Sequence, residues 1–286
     1  MGIFKSKHSR APFMSETHQR TLHKNLEFTA TEQYKLLRTN LRFTIPEGTK
    51  CPVIGVTSSM RGEGKSTTAV NLSYVLAEQG SKVLLIDGDL RIPSVAKKME
   101  IPSTPGLTDM LMDRGVDLDE FKSAILENWY IMPAGDIPPN PSELLGSQRM
   151  ATTLERLREA FDYIIIDLPP VNVVSDALSI ADMITGMIVV IREEYTEKKE
   201  LERCFRQLKL SDVRVLGCVM NEAKSGGGAY GKYKYRKYRY YKYSRYYYKD
   251  EYKAHDHDEG VAEKGTKDRD AKAAKTTSKD TSDTKK

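Results

Sequence analysis

The chain has 286 residues, 39% of them hydrophobic and 30% charged, with a net charge of +5. That is room for one good-sized α/β domain plus tails, and the modest apolar share means that part of the chain lies outside any core. No apolar run approaches the ~18 residues of a membrane-spanning helix, there is no signal-peptide core, and Cys51, Cys204 and Cys218 follow neither a disulfide nor a metal-binding spacing, which suits a reducing compartment.

Residues 1–28 are polar and basic without a period and read as a flexible lead-in. From Thr29 the sequence predicts a helix, with Thr29 or Thr31 as N-cap and Tyr34, Leu37 and Leu41 on one stripe. That stripe packs on the domain; a subunit contact through Glu32, Lys35 and Arg38 is the alternative reading of the same helix.

The run Val53–Val56 predicts a strand, and Thr57–Thr68, TSSMRGEGKSTT, follows it into a helix predicted over Lys65–Gln79 and closed by Gly80. A strand, a glycine-containing loop and a helix N-terminus form a phosphate cradle: loop amides point at the oxygens and the helix dipole favours negative charge. Gly62 and Gly64 let the backbone curl without a Cβ in the way. In this pattern Lys65 reaches the β- and γ-phosphates of a nucleotide and the Ser66 hydroxyl ligates Mg²⁺. The strict pattern G-x-x-x-x-G-K-[ST] fails only at its first position, where Ser59 stands.

Lys82–Arg91, KVLLIDGDLR, predicts a buried strand ending in Asp87 and Asp89, the end at which parallel sheets hold ligands. Residues 92–128 predict short helices over Leu107–Asp113 and Leu118–Leu126, and Trp129–Met132 a short strand. A Pro-rich loop leads to Ser142 as the cap of the following helix, and a longer helix then runs to about Ala160. Asp162–Pro170, DYIIIDLPP, predicts a strand ending in Asp167, a carboxylate placed to position Mg²⁺ directly or through water. A helix over Ser175–Asp182, a strand over Met187–Ile191, a helix over Thr196–Leu208 and a strand over Val213–Met220 complete the alternation. It implies an α/β fold: a P-loop NTPase-like, mostly parallel sheet covered by helices on both faces, spanning 29–223. Asn221, just beyond the last strand, reads either as a contact to adenine or as a turn cap.

After Lys224-Ser-Gly-Gly-Gly228 the character changes. Eleven of the sixteen tyrosines lie between Tyr230 and Tyr252: Tyr230, Tyr233, Tyr235, Tyr238, Tyr240, Tyr241, Tyr243, Tyr246, Tyr247, Tyr248 and Tyr252. Through Lys253 they interleave with nine Lys/Arg and only two acids, Asp250 and Glu251. With no aliphatic residues between Tyr230 and Tyr252, the tract 224–253 builds no core, and 254–286 read as a disordered tail. Stacking on single-stranded nucleic acid, lying on an anionic membrane, or accepting phosphate all fit the composition. A nucleotide site in the same chain favours phosphoryl transfer to the tyrosines.

Together, the loop Ser59–Thr67, LLIDGDLR over 84–91, IIIDLPP over 164–170 and the terminal tyrosines resemble the bacterial tyrosine kinases of capsule and exopolysaccharide systems, over roughly 29–252. The resemblance implies an ATP- and Mg²⁺-dependent tyrosine autokinase that phosphorylates its own tail. It assigns Gly62, Glu63, Gly64, Lys65, Ser66, Thr67 and Asn221 to the nucleotide, Lys65, Asp87 and Asp89 to catalysis, Asp87 being the base, and Ser66, Asp89 and Asp167 to the metal. The family's E-x-x-R-x-x-R oligomerisation motif appears as Glu32, Lys35 and Arg38, with Lys35 lacking the bidentate fork of the middle arginine. A ring-type homo-oligomer, a separate membrane-bound activator, a cognate tyrosine phosphatase and a cytoplasmic location at the inner face of the membrane are implied as well; nucleic acid is not. The alternative is a partition- or division-type ATPase switch with a nucleic-acid- or membrane-binding tail, but that group carries a signature lysine where Met60 stands.

Overall fold

The computed structural model describes residues 26–223; the tyrosine tract and both terminal segments lie outside the described residues. In chain order the elements are α1 (Phe28–Thr44), β1 (Val53–Ser58), α2 (Lys65–Glu78), β2 (Val83–Asp87), α3 (Val95–Met99), α4 (Leu107–Leu111), β3 (Trp129–Met132), α5 (Pro141–Leu145), α6 (Gln148–Ala160), β4 (Tyr163–Asp167), α7 (Asp176–Ser179), β5 (Gly186–Arg192), α8 (Lys198–Leu210) and β6 (Val215–Asn221), with single 3₁₀ turns at Leu118–Phe121 and Ala181–Met183.

The strands form one sheet in the order β3-β2-β4-β1-β5-β6, and every pairing is parallel. Parallel neighbours need crossovers, which place helices on the sheet faces and explain the near-continuous apolar strands. Alternate strand residues feed two separate cores. Val53, Leu84, Ile86, Ile164, Ile166 and Val189 face one, with Leu107, Met150, Leu154 and Leu208 from the helices. Ile54, Val56, Val83, Leu85, Ile165 and Ile188 face the other, with Val70, Leu72 and Val75 of α2 and Leu41 of α1. The period-2 geometry of a strand makes this division unavoidable once both faces are covered.

Three local expectations shift. The first helix begins at Phe28 behind Glu27 rather than at a threonine cap. Ser142 lies inside α5; it is Ser147, at the start of α6, whose side chain accepts from Met150 N–H. The helix expected over 118–126 shrinks to one 3₁₀ turn, capped by Asp117 and stopped by the extended backbone at Lys122. On α1, Lys35 pairs with Glu32 at 3.0 Å and Arg38 donates to Val75 O at 2.6 Å, so these three side chains already have partners within the chain.

Candidate active site

The ends of β1, β2 and β4 converge. In register, Val56 of β1 lies beside Asp167 of β4, and Asp167 beside Asp87 of β2. Equal register in adjacent parallel strands puts the two carboxylates side by side on one face, both fully buried. Asp89 follows two residues later, 5% exposed. Lys65, the first residue of α2, crosses to this group: its Nζ is 2.9 Å from Asp89 Oδ2 and 3.3 Å from Asp167 Oδ1. One ammonium thus faces three carboxylates contributed by two other strand ends.

The electrostatics follow from that count. Burial works against the Lys65 ammonium, yet the charges of Asp167 and Asp89 outweigh it and raise its pKa. Burial also pushes the Asp87 carboxyl up, to about 7, and the neighbouring Asp167 adds to it; amide donors from Val95 and Ser94 and the Lys65 charge pull the other way without prevailing. Asp167 is raised as well, chiefly by burial, against the attraction of Lys65. Asp87 Oδ2 accepts from Ser94 N and Val95 N, each at 2.9 Å, so the same carboxylate also holds the first turn of α3. Asp167 Oδ2 is buried with no hydrogen-bond partner among the described residues.

The loop before α2 has the shape its glycines require. Gly62 has φ +82° and Gly64 φ +99°, both in the left-handed region. Its remaining geometry comes from residues for which the phosphate-loop pattern has no place. Ser59, where that pattern has glycine, donates to Glu63 Oε1 at 2.7 Å, and Met60 N donates to Glu63 Oε2 at 2.9 Å. Thr196, in the turn after β5, donates to Glu63 Oε1 at 2.5 Å. Glu63 is fully buried and its side chain braces the loop from within, leaving only its backbone for a ligand. Asn221 Nδ2 donates to Glu63 O at 3.0 Å. Ser66 is 7% exposed in the first turn of α2, and Thr67 follows it, half-buried.

Sequence reasoning assigned no role to Arg91. Its guanidinium grips Asp176 bidentately, Nε to Oδ2 at 2.7 Å and Nη2 to Oδ1 at 3.0 Å, and Ser142 also bonds this carboxylate. The loop that carries Asp89 is thereby tied to the segment that follows Asp167. The signal was present in D-G-D-L-R, but a bidentate partner 85 residues away cannot be read from a linear pattern.

A parallel sheet of this order, a glycine-bearing loop opening a helix, and acids at the adjacent strand ends define a P-loop nucleotide-binding protein. The AAA domain family matches residues 51–212. Tyrosine-protein kinase YwqD of Bacillus subtilis is 37% identical over 71% of this chain and 86% of its own length. Tyrosine-protein kinase CpsD of Streptococcus pneumoniae is also 37% identical, over 73% and 92%. Among solved structures, the chimerical protein CapA2B2 superposes with TM-score 0.68 at 30% identity, covering 74% of this chain and 92% of that one. The chain belongs to the bacterial tyrosine-protein kinases, enzymes that transfer a phosphoryl group to tyrosine. No helix among the described residues is long and apolar enough to cross a membrane.

Proposed function

We propose that this kinase uses Mg²⁺·ATP to phosphorylate the tyrosines between Tyr230 and Tyr252 of a neighbouring copy of itself, and that this cycle regulates capsular or exopolysaccharide synthesis and export. The observation that carries the reading is the Lys65–Asp89–Asp167 cluster at the mouth of the loop, in a kinase chain whose own tail supplies eleven acceptor hydroxyls.

The donor set fits the cofactor. Among the described residues no group of three His, Cys, Asp or Glu converges as a metal cage. None is needed, because Mg²⁺ is commonly held by one or two carboxylates together with the substrate's phosphates. Ser66 and Asp167, whose Oδ2 has no partner among the described residues, are the oxygens that would hold it, with Asp89. When bound, the ion neutralises charge on the transferring group. Lys65 turns from Asp89 and Asp167 to the β- and γ-phosphates, and the amides of Gly62 to Thr67 line the phosphates.

A tyrosine hydroxyl has a pKa near 10 and needs a base. Asp87 is that base in this reading, its carboxyl held near neutrality, about 7, by burial and by Asp167. Asp87 is closed off from solvent and Asp89 is 5% exposed, so the acceptor can reach Asp87 only once its cover moves. An extended chain covers about 3.3–3.6 Å per residue, so Tyr230 reaches roughly 30 Å from the end of β6 and Tyr252 roughly 100 Å. Transfer between copies is therefore within reach, through an assembly that Glu32, Lys35 and Arg38 would help to form.

Each phosphotyrosine adds about −1.5 to −2 charges, so four or five bring the basic tract to about neutral or negative and weaken its hold on neighbouring acidic sites. Phosphorylation then loosens the assembly, a cognate phosphatase resets it, and a separate membrane-bound activator brings the kinase to the inner face of the membrane. The test is phosphotyrosine mapping by mass spectrometry after incubation with Mg²⁺·ATP, with and without the activator's cytoplasmic segment. Phosphate on Tyr230–Tyr252 that disappears in Lys65→Met supports the reading; ATP hydrolysis with unmodified tyrosines under both conditions sinks it.

A further inference from the structure

The phosphate loop is held from outside as well as from within. Three successive backbone carbonyls each accept a hydrogen bond from a different side chain at the β5–β6 end of the sheet. Tyr195 Oη donates to Arg61 O at 3.1 Å, Arg192 Nη1 to Gly62 O at 3.2 Å, and Asn221 Nδ2 to Glu63 O at 3.0 Å. Arg192 and Asn221 are register partners at the ends of β5 and β6. The Arg192 guanidinium also stacks on the Tyr195 ring, 5.0 Å from its centroid, and pairs with Glu222 at 2.6 Å. The fit is close: a Cβ at Gly64 would run into the Asn221 amide, and one at Gly62 would come within 3.3 Å of the Tyr195 oxygen.

We propose that Tyr195, Arg192 and Asn221 are positioning residues that set the phosphate loop in its anion-binding shape before nucleotide arrives. In a trans peptide the C=O and N–H point in opposite directions. Anchoring the carbonyls of Arg61, Gly62 and Glu63 outward therefore turns the N–H groups of Gly62, Glu63 and Gly64 toward the other side of the loop. A carbonyl turned inward would instead repel a phosphate. The clamp contributes to binding by removing the ordering that the loop must otherwise undergo when the ligand arrives. Asn221 then acts on the triphosphate through the backbone. The inference rests on the reading that this loop holds the phosphates of ATP.

The experiment measures affinity of the full-length chain for Mg²⁺·ATP and for Mg²⁺-tripolyphosphate, which has no base, in wild type, Tyr195→Phe, Asn221→Ala and the double variant. Each substitution removes one donor while leaving the loop sequence intact; Tyr195→Phe also keeps the ring on Arg192. The expected result is that each single variant loses about two- to tenfold in affinity, the worth of one hydrogen bond, by the same factor for both ligands. KM for ATP rises with kcat within twofold, the sign of a ground-state binding loss. A drop in ATP affinity with unchanged tripolyphosphate affinity in Asn221→Ala would show a base contact and overturn the proposal. So would wild-type affinity for both ligands in Tyr195→Phe, whatever its melting temperature. If wild type binds neither ligand, the nucleotide reading itself has failed, separately from the clamp.

Discussion

Lys65→Met removes the one ammonium from a site holding Asp87, Asp89 and Asp167. Met keeps nearly the same length and volume, so packing around α2 is little disturbed. The Lys65 side chain is only 12% exposed, and its partners lie at 2.9 and 3.3 Å. Removing one member of a buried ion pair costs about 3–5 kcal/mol, because the remaining charge stays desolvated. The carboxylates can recover part of that by binding a proton. Without the ammonium, the already raised pKa of Asp167 moves higher still. Between an unfolded carboxylate value of about 4 and that raised value, the folded variant holds a proton which the unfolded chain has released. Its stability therefore falls as pH rises through this window. The expected deficit against wild type, from urea unfolding of nucleotide-free protein, is about 3–5 kcal/mol at pH 8 and smaller at pH 5.5. For a domain of this size the pH 8 figure corresponds to roughly 10 °C in melting temperature. Equal deficits at the two pH values, or none at pH 8, would refute the claim that Lys65 neutralises the cluster.

Three further outcomes follow from the same geometry. Asp87 binds a proton in the folded state up to a pKa of about 7, against a reference of 3.8, so its ionisation lowers the stability of wild type as pH rises across that interval; Asp87→Asn flattens this decline between melts at pH 5 and pH 8, and abolishes tyrosine phosphorylation. Arg91→Ala strands the buried Asp176 carboxylate; since the Arg91 side chain is 40% exposed, the loss is discounted for solvent screening to about 1–2 kcal/mol in urea unfolding. Arg91→Lys restores only part of it, for want of the two-pronged donor. Gly64→Ala forces a side chain into φ +99° and against Asn221, and is expected to lose more than about tenfold in Mg²⁺-tripolyphosphate affinity with a stability cost of about 1–3 kcal/mol, checked by calorimetric titration and melting.

What the sequence determined by itself was local. Alternating apolar runs and helical stretches, with Gly80 after α2 and acids at the ends of β2 and β4, announce a parallel α/β sheet because parallel strands must be apolar on both faces and joined by crossovers. The phosphate loop was legible because its demands are also local: left-handed backbone at Gly62 and Gly64, and a cation and a hydroxyl at the helix start. The tertiary structure decided what lies next to what. That β4 inserts between β1 and β2, placing Asp87 beside Asp167 in register, sets the pKa of both, and no pattern within either strand encodes it. Ser59, read as a lapse from the loop motif, is a donor to Glu63, and Glu63 reaches inward to Thr196, which lies 133 residues away. Arg192 and Tyr195 look unremarkable in the chain, and Asn221 reads there only as an adenine contact or a turn cap, because the carbonyls these side chains bond belong to another crossover. Secondary structure and motif chemistry arise from neighbours in sequence; charge balance, bracing and clamping arise from neighbours in space, which only the sheet order brings together.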